Sequence, residues 1–503
     1  MQQDQLYVGI DSGTQGTKAI LYSRERRRIL ASAYAEHRMI ENNQGRREQD
    51  PAWWIQACES VIDRVLDKSS FSRRQVCALG VSGQQHGMVA LDAEDQVIRP
   101  AKLWCDTETF PQCRAITENA GGVDRVISLT GNSIAAGFTA SKILWMKQQE
   151  PENYDRLTTI LLPHDYINFW LSGVKRTECG DASGTAYFDV RNRRWSKEIL
   201  AAIEPSGKLE ECLPELIRSD EPIGAIRPAI ARRFGLPEST IVSSGGGDNM
   251  MAAIGTGNVI PGIVTTSLGT SGTIYAFSDE PVVDPRGELA AFCSSSGGWL
   301  PLVCTMNVTV STELVRDLLG LEIAALNQKA SAAPPGAEGI ILLPYFNGER
   351  TPALPEARAS FHGLTSANTT PENLCRAAME GATMGLRYGL DILKQHGVVP
   401  REIRLVGGGA KSPLWRQIVA DLFGCSVISP VSTEAGAMGA VIQAMWCYSK
   451  LKAEPIGLKE LTEQHVFLDE STRTLPERMH KKLYDERYSR YLQLSRAMQP
   501  LYT

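Results

Sequence analysis

The sequence lacks the features that mark secreted, membrane-spanning and nucleic-acid-binding proteins. Its 11 cysteines form no C-x-x-C pair and their number is odd, which argues against a disulfide framework or a zinc site and predicts a reducing compartment. No apolar run approaches the roughly 18 residues of a membrane span, and no signal segment opens the chain. The net charge of −5 gives no electrostatic reason to expect nucleic acid or a membrane as a partner. We therefore expect a soluble, cytoplasmic protein.

The length of 503 residues is too great for one compact core, so two domains are expected. A boundary is predicted near residues 235–245, where a helical stretch ends at Gly-Leu-Pro before the strand-like IVSS. We predict one domain over residues 1–243 and a second over residues 244–465. A helical tail, residues 466–503, is expected to pack back on the first domain.

A strand–turn–strand pattern occurs twice, half a chain apart. The first copy is LYVGIDSGTQGTKAILYS over residues 6–23, and the second is GIVTTSLGTSGTIYAF over residues 262–277. Each copy has a β-branched run, a Gly-Thr-x-Gly turn and a second apolar run, which predicts a β-hairpin. Strands alternate with helical patterns along the rest of the chain, which indicates the α/β class. The repeat therefore predicts two similarly built α/β domains.

The turn of the first copy has residue types that suit a phosphate. Gly13 and Gly16 allow positive φ, which lets successive backbone N–H groups converge on one point. Thr14 and Gln15 add polar side chains. Asp11 ends the strand with a carboxylate, where a Mg²⁺ that bridges phosphates would sit. The residues alone leave open a plain hairpin whose Asp bonds its own turn.

The turn of the second copy repeats this pattern with one difference. Gly269 and Thr270 correspond to Gly13 and Thr14, but Ser267 stands where the first copy has Asp11. The phosphate-type turn is therefore repeated and the metal-seeking carboxylate is not. This asymmetry suits a nucleotide whose metal is bound on one side only.

A glycine cluster at residues 245–247 follows the strand-like IVSS and precedes a helical segment. It is followed at once by Asp248 and Asn249. Three glycines let a backbone pass close to a ligand, and the helix that follows presents its N-terminus to a phosphate. Asp248 is then either a reactive acid at the mouth of a loop or an ordinary helix N-cap.

A second glycine cluster, Gly407-Gly408-Gly409-Ala-Lys-Ser412, also lies between a strand and a helix. Its position suits close approach to a nucleotide. No segment of the chain has the G-x-x-x-x-G-K-[ST] spacing of the large NTPase family. The spaced G-x-G-x-x-G with an acid about 20 residues later is also missing, which disfavours a dinucleotide enzyme.

Polar and aromatic residues after another predicted strand suit a polyol. Gln85 and His86 lie between glycines, where they would hydrogen-bond a polyol or form a polar turn. Trp104 and Asp106 follow about 20 residues later. Trp104 offers a flat apolar wall and Asp106 a further polar group.

These motifs together resemble the FGGY family of carbohydrate kinases. DSGTQGTK, SGQQHG, GGGDN, SLGTSG and GGGAKS occur in the family's order. GFTASKILWMKQQ (137–149) and ASFHGLTSANTTPENLCRAAME (359–380) are similar to the family's two signature patterns. The resemblance extends from Asp11 to about Gly439. Members that act on D-xylulose share the GQQHG loop, the GGGDN loop and FNGERTP (346–352), whereas glycerol kinases typically have Arg-Glu in place of Gln85-His86.

The resemblance implies two actin-like, ribonuclease-H-type domains with a cleft between them. The first would bind the sugar and carry the first phosphate hairpin, and the second would bind the nucleotide side of ATP. The family's catalytic base would be Asp248 and the acid near Mg²⁺ would be Asp11. The remaining positions that the resemblance implies are Gln85, His86, Asp106 and Asn249 for the sugar, and Gly13, Thr14, Gln15, Gly269, Thr270, Gly408, Gly409 and Ser412 for ATP.

The resulting expectation is ATP-dependent phosphorylation of a sugar, with D-xylulose as the leading substrate. A kinase for another ketose or polyol, such as ribulose, a hexulose or a glycerol-like alcohol, is the nearest alternative. An actin- or chaperone-like ATPase is the alternative from another class, but it would have no reason to place the pairs Gln85-His86 and Asp248-Asn249 on its cleft. The sequence leaves the oligomeric state open, with a homodimer among the options.

Overall fold

A central β-sheet organises each of two units of the chain. The computed structural model describes residues 4–453 and 455–502. Within the described residues, the first unit comprises segments 4–259, 278–300, 434–453 and 455–466. The second unit comprises segments 260–277, 301–433 and 467–502. The chain therefore passes between the units several times, which a single boundary near residue 243 does not anticipate.

The first unit contains one central sheet and several short sheets of two or three strands. Its strands are β1 (Leu6–Ser12), β2 (Gly16–Ser23), β3 (Arg28–Glu36), β4 (Ile40–Glu41), β5 (Arg47–Gln49), β6 (Val76–Gly83), β7 (Val89–Leu91), β8 (Ala101–Lys102), β9 (Thr159–Leu161), β10 (Arg176–Glu178), β11 (Phe188–Asp189), β12 (Arg194–Trp195), β13 (Glu215–Ile217), β14 (Gly224–Ala225), β15 (Ile241–Val242) and β16 (Gly246–Gly247). The central sheet has the order β14-β15-β6-β1-β2-β3, and β16 also pairs with β6.

The second unit has a six-stranded sheet of order β19-β18-β17-β22-β23-β24. Its strands are β17 (Ile263–Leu268), β18 (Gly272–Ala276), β19 (Leu302–Thr305), β20 (Ile341–Leu343), β21 (Ser360–His362), β22 (Glu402–Val406), β23 (Ser426–Pro430) and β24 (Leu468–Thr474). The remaining two strands, β20 and β21, form an antiparallel pair.

The two central sheets share one topology. In the first, the hairpin β1–β2 continues antiparallel into β3, while β1 pairs parallel with β6 and β6 parallel with β15. In the second, the hairpin β17–β18 continues antiparallel into β19, while β17 pairs parallel with β22 and β22 parallel with β23. Each sheet ends in an antiparallel edge strand, β14 or β24. The prediction of two similarly built α/β domains is confirmed.

Helices connect and cover these strands in the described part of the chain. They are α1 (Pro51–Asp67), α2 (Phe110–Asn119), α3 (Val123–Thr130), α4 (Thr139–Gln149), α5 (Pro151–Asp155), α6 (Pro163–Ser172), α7 (Cys179–Ala182), α8 (Lys197–Ile203), α9 (Lys208–Glu211), α10 (Pro228–Phe234), α11 (Asp248–Gly255), α12 (Thr309–Leu318), α13 (Ile323–Ala332), α14 (Pro371–Gln395), α15 (Pro413–Phe423), α16 (Ala435–Leu451), α17 (Leu458–His465) and α18 (Arg478–Met498). Among the described residues, no helix combines the length and the apolar character needed to cross a membrane.

Helix α1 has a capped first turn. The Asp50 side chain accepts a hydrogen bond from the Ala52 N–H at 2.9 Å, and Pro51 occupies the first helical position, where its missing N–H costs nothing. Trp54 on the inner face is fully buried, and its indole N–H donates to Gln49 Oε1 at 2.9 Å. The helix thereby anchors its apolar face in the core of the first unit.

The helical tail packs within the second unit, which corrects the expectation that it packs on the first domain. On α18, the Tyr484 hydroxyl donates to Glu380 Oε1 of α14 at 2.8 Å. The Ser495 hydroxyl shares a hydrogen bond with the Tyr345 hydroxyl at 2.8 Å. These buried polar contacts join groups far apart in sequence, so the helical pattern of the tail does not specify them.

Glycines in the first unit serve close packing around α16. A Cβ built on Gly9 of β1 would lie 2.1 Å from the carbonyl oxygen of Ala437, and one on Gly80 of β6 would lie 2.1 Å from that of Ala440. A Cβ on Gly439 would lie 1.8 Å from the carbonyl oxygen of Met251 in α11. The small-residue face of α16 therefore contacts both the sheet and α11.

The glycines of the hairpin turn act differently from the prediction. Gly13 and Gly16 do not have the positive φ that the sequence suggested for them. A Cβ on Gly16 would instead lie 2.5 Å from the carbonyl oxygen of Ala35 and 2.6 Å from the Tyr34 ring. Close approach of β3, rather than backbone conformation, requires glycine at this position.

The contact of Gly80 with α16 predicts strong sensitivity to one added methyl group. We expect Gly80→Ala to lower the free energy of unfolding by about 1–3 kcal/mol, because the methyl overlaps a backbone oxygen that cannot move aside alone. The measurement is thermal or urea unfolding of the purified variant. Gly224→Ala on β14 is the matched control, since its Cβ would meet only Val174 Cγ2 at 3.5 Å. Equal stability of both variants would contradict the packing argument.

Candidate active site

Asp11 lies near the end of β1, between the neighbouring strands β2 and β6. The Ser82 hydroxyl of β6 donates to Asp11 Oδ1 at 2.6 Å, and Lys18 is its register partner on β2. A Cβ on Gly436, in the first turn of α16, would lie 2.6 Å from Asp11 Oδ2. Burial raises the pKa of Asp11 above its usual value, although Ser82 and Lys18 oppose this. A nearby cation would therefore favour its charged form, which suits a Mg²⁺-associated acid.

Thr14 ties the first hairpin turn to two other loops. Its hydroxyl donates to Gln84 Oε1 at 3.0 Å and accepts from the indole N–H of Trp104 at 2.9 Å. The Gly13 N–H closes the turn by donating to the Gly16 carbonyl at 3.0 Å. Gln15 is exposed at the tip. The turn is therefore a braced structure in which the Gly13 N–H is already used.

Asp248 is the first residue of α11, and the N-cap position belongs to Gly247. Its Oδ1 accepts hydrogen bonds from the backbone N–H of Asn249 at 2.8 Å and from the Asn249 Nδ2 at 3.0 Å. Burial raises the pKa of Asp248 to about 7, and the negative charges of Asp11 and Asp181 add to this. The interpretation of Asp248 as a helix N-cap is therefore wrong, and a carboxyl whose pKa lies near neutrality suits proton transfer.

Gln85 is oriented by the same asparagine. Asn249 Nδ2 donates to Gln85 Oε1 at 3.0 Å, which joins the loop after β6 to the start of α11. The Gln85 side chain packs on Gly247, where a Cβ would lie 2.7 Å from its Cγ. Its Nε2 is buried and has no hydrogen-bond partner among the described residues. This amide is a donor held in position for a ligand acceptor or a water.

His86 adopts a left-handed backbone conformation with φ 65°. Its ring centroid lies 4.6 Å from that of Phe138 and 5.7 Å from that of Phe292. A Cβ on Gly184 would lie 2.3 Å from the imidazole, so glycine leaves room for the ring. The side chain is thus held in an aromatic environment, and 7% of the residue is exposed.

Asp106 is fully buried, and both of its carboxylate oxygens accept hydrogen bonds inside the protein. Oδ2 accepts from the Arg47 N–H at 2.9 Å and from Lys102 Nζ at 3.0 Å, while Oδ1 accepts from the Glu108 N–H at 3.1 Å. This geometry favours a role in holding the loop that carries Trp104. It does not support the predicted direct contact with a sugar.

The carboxylates of Glu48, Asp106 and Glu108 lie within 4.8 Å of one another, a spacing that suits a metal ion. Lys102 already fills this position. Its Nζ lies 3.2 Å from Glu48, 3.0 Å from Asp106 and 2.5 Å from Glu108. The cluster is therefore an ion network in which Lys102, together with Arg46 and Arg99, balances the three acids.

A buried cluster around His164 was not found from the sequence. His164 Nδ1 lies 2.6 Å from Asp181 Oδ2, and Nε2 lies 3.0 Å from Asp165 Oδ1. Burial opposes protonation, but the two carboxylates outweigh it and raise the pKa of His164 well above its usual value. Asp181 Oδ1 would lie 3.0 Å from a Cβ on Gly247, immediately before Asp248. The sequence feature that marks this cluster is the small-residue stretch GDASG around Asp181.

In the second unit, the Gly269–Thr270 turn joins β17 to β18. The carbonyl oxygens of Gly269 and Thr270 accept from the N–H groups of Thr309 and Val308 at 2.9 and 3.0 Å. Thr270 is exposed. The turn is thus fixed by the residues around the start of α12, with its side-chain hydroxyl outside.

The second glycine cluster, residues 407–409, follows β22. It lies at the same edge of the sheet as the Gly269–Thr270 turn, because β22 runs parallel to β17. Gly407 has φ 91°, and a Cβ on it would lie 2.7 Å from the carbonyl of Leu268, the residue before Gly269. Gly409 packs on Leu268 as well, while Gly408 is exposed. Ser412 caps α15 and donates to Asn327 Oδ1 at 2.7 Å.

The predicted residues therefore form two groups, each within its own unit. In the first unit, hydrogen bonds join Gln85, Asn249 and Asp248, and Asp11 is near enough to raise the pKa of Asp248. In the second unit, the Gly269–Thr270 turn and the 407–412 loop lie side by side. Asp106 belongs to the first unit as well, but its carboxylate oxygens accept hydrogen bonds from Arg47, Lys102 and Glu108.

Comparison with known proteins gives a consistent family. The N-terminal domain of the FGGY family of carbohydrate kinases matches residues 6–255, and its C-terminal domain matches residues 264–448. A xylulose kinase from Haemophilus influenzae is 47% identical over 491 residues, which are 97% of this chain and 99% of that protein. A xylulose kinase from Escherichia coli is 34% identical over 500 residues, which are 99% of this chain and 100% of that protein.

Solved structures agree with the sequence matches. A protein described as a xyloylose kinase from Brucella ovis has a TM-score of 0.91 at 30% identity, with 99% of this chain and 100% of that chain covered. A xylulose kinase from Bifidobacterium adolescentis has a TM-score of 0.81 at 31% identity, with 96% and 99% covered. The resemblance seen in the ordered sequence motifs is confirmed. The chain belongs to the FGGY family of carbohydrate kinases.

Proposed function

We propose that the protein transfers the γ-phosphoryl group of ATP to D-xylulose, forming D-xylulose 5-phosphate, with Asp248 as the general base. The observation that carries this proposal is the buried Asp248 carboxyl, whose pKa burial raises to about 7. It is fixed by Asn249, which also holds Gln85. The names of the relatives support D-xylulose as the acceptor.

Phosphoryl transfer requires positioning, charge neutralisation and a group that takes the hydroxyl proton. The oxygen of the sugar's terminal hydroxyl forms a bond to the γ-phosphorus as the bond to the ADP oxygen breaks. The proton of that hydroxyl passes to Asp248. A pKa near 7 leaves much of Asp248 ionised at neutral pH, and the carboxylate remains basic enough to accept the proton.

Asp11 is the residue that would associate with Mg²⁺, which neutralises charge on the phosphates when bound. Its burial and raised pKa fit such a role, because a buried carboxylate needs a compensating positive charge. Gly436, in the first turn of α16, leaves room for the same carboxylate, because a Cβ there would lie 2.6 Å from Asp11 Oδ2. Thr14, in the first hairpin turn, would contribute to binding of the phosphates.

The Gly269–Thr270 turn and the loop from Gly408 to Ser412 would bind the nucleotide in the second unit. The exposed Thr270 hydroxyl suits a phosphate contact, and the exposed Gly408 allows a flat group to approach the backbone. On this proposal the first unit binds the sugar and the metal, and the second unit binds most of the nucleotide.

On this proposal the sugar meets the hydrogen-bonding side chains of Gln85 and His86. The buried Gln85 Nε2 is a donor, and the buried His86 is the next residue of the same loop. A ketose with several hydroxyls can satisfy such groups, and each buried polar group left unpaired costs about 1–3 kcal/mol. An acceptor that lacks one contacted hydroxyl should therefore lose about tenfold or more in kcat/KM.

Replacement of Asp248 by Asn tests the base. The Asn Oδ1 can accept both hydrogen bonds that Asp248 Oδ1 accepts, so the fold should be kept. We expect kcat to fall by about 10²–10⁴-fold, the usual contribution of a general base. The measurement is a coupled ADP-release assay with D-xylulose. Asp124→Asn, at an exposed acid in the first turn of α3, is the matched control and should keep full activity.

The same variant should be more stable than the wild type at neutral pH. The folded pKa of Asp248 is about 7 against 3.8 for the unfolded residue, so its ionisation costs folding energy as the pH rises through that interval. The gain in Tm should be absent near pH 4 and should grow towards pH 8. A variant that keeps wild-type turnover, or a gain in Tm that shrinks with pH, would remove Asp248 from this role.

Replacement of Asp11 by Asn tests the metal assignment. Ser82 can still donate to the new Oδ1, so the strand end should be preserved. We expect the Mg²⁺ concentration for half-maximal activity to rise about tenfold or more, because the charged metal partner is lost. Calorimetric binding of D-xylulose should be nearly unchanged. Loss of sugar affinity with an unaltered Mg²⁺ dependence would show that Asp11 serves the sugar instead.

A panel of pentuloses, hexuloses, polyols and glycerol tests the substrate. D-xylulose should give the highest kcat/KM, and His86→Ala should raise its KM about tenfold while changing the ATP KM little. His362→Ala, at a histidine of β21 in the second unit, is the control. If glycerol or a hexulose is the better acceptor, the chain is a kinase for another alcohol and the named substrate is wrong.

A further inference from the structure

The segment from Gly137 to Lys142, which is part of a family signature, braces the loops that carry Trp104 and His86. A Cβ on Gly137 would lie 2.4 Å from the carbonyl oxygen of Trp104, so this glycine lets the two backbones touch. The ring of Phe138 packs against the imidazole of His86. Lys142 is in the first turn of α4, the helix that follows Gly137 and Phe138.

Lys142 is buried without a carboxylate at ion-pair distance among residues 4–453 and 455–502. Its Nζ donates to the carbonyl oxygen of His86 at 2.5 Å and to that of Gly137 at 2.9 Å. Burial lowers the pKa of Lys142 to about 7, although Asp106 opposes this. A buried amine bonded to two backbone carbonyls is an expensive arrangement, because desolvation of the ammonium is only partly offset.

The His86 carbonyl receives a second hydrogen bond, from the Thr139 hydroxyl at 3.2 Å. Two side chains of α4 therefore converge on the carbonyl of a residue whose φ is 65°. A non-glycine residue in the left-handed region is strained by about 1–3 kcal/mol and needs support from its surroundings. Lys142 and Thr139 provide that support at the one backbone atom they share.

We propose that Lys142 is a positioning residue for the sugar: by holding the His86 carbonyl, it keeps His86 in the left-handed conformation that directs its imidazole to the substrate. The inference rests on the proposed function in one respect, namely that His86 contacts the sugar. It extends that function to a lysine that lies behind the loop and does not itself touch the sugar.

The test is a double-mutant cycle with Lys142→Met and His86→Ala. Met preserves the length of the side chain and removes its donors. We expect Lys142→Met to raise the D-xylulose KM about 10- to 100-fold, the effect of losing a hydrogen bond from a charged group. The ATP KM and kcat should change less than about threefold. In the His86→Ala background, Lys142→Met should add less than about threefold.

Two further variants separate this role from a general structural one. Thr139→Val removes one donor to the same carbonyl without a change in shape, and it should raise the sugar KM in the same direction by a smaller factor. Lys147→Met is the matched control on α4, since this lysine is partly exposed and pairs with Glu204. It should leave every constant unchanged. If Lys142→Met does not fold by circular dichroism, the cycle is run with Thr139→Val.

The outcomes distinguish the sugar role of His86 from the positioning role of Lys142. An unchanged sugar KM in His86→Ala would overturn the sugar role of His86 and with it this part of the proposed function. A raised KM in His86→Ala together with an unchanged KM in the Lys142 and Thr139 variants would overturn the positioning role alone. Additive effects in the cycle would also overturn it, because Lys142 would then act independently of His86.

Discussion

The close packing of α16 against β1, β6 and α11 is the constraint on which the rest of the first unit depends. Backbone touches backbone at Gly9, Gly80 and Gly439, where any side chain would overlap a carbonyl oxygen. The short distances bring the first turn of α16 to the Asp11 carboxylate and fix α11, which begins with Asp248. The two acids of the site are therefore placed by contacts between main chains, which vary less than contacts between flexible side chains.

The same unit buries ionisable side chains that would cost less folding energy if they were neutral or exposed to solvent. Burial raises the pKa of Asp11 and Asp248, and it lowers the pKa of Lys142. Such groups cost folding energy, and their concentration around one set of loops is typical of a catalytic site. The Lys102 network differs, because its three acids are paired with Lys102, Arg46 and Arg99. Structural and functional burial of charge are thus distinguished by whether each ion has a partner.

The two units show how one topology supports two kinds of site. Both place a hairpin turn and a second loop at the ends of adjacent parallel strands, where polar groups from separate segments meet. The second loop carries Gln85 and His86 after β6 in the first unit, and the glycines 407–409 after β22 in the second. In the first unit the strand before the turn carries Asp11, and in the second the corresponding residue is Ser267. The repeated architecture supplies the turn, and a single difference in sequence decides whether a carboxylate accompanies it.

The sequence by itself determined the hairpins, the order of the motifs and the α/β class, because these depend on local turn chemistry and on strand periodicity. The roles of Asp11, Gln85, Asp248 and Asn249 follow from the resemblance to the FGGY family and stay predictions. Tertiary structure alone decided which polar groups are free to meet a ligand. Asp106 has the residue type of a sugar contact, yet Lys102 and two backbone N–H groups use both of its oxygens. Lys142 has the appearance of an ordinary helical lysine until its carbonyl partners are known. The division of the chain into units and the packing of α18 were likewise beyond the sequence, since the contacts that fix them join residues more than 100 positions apart.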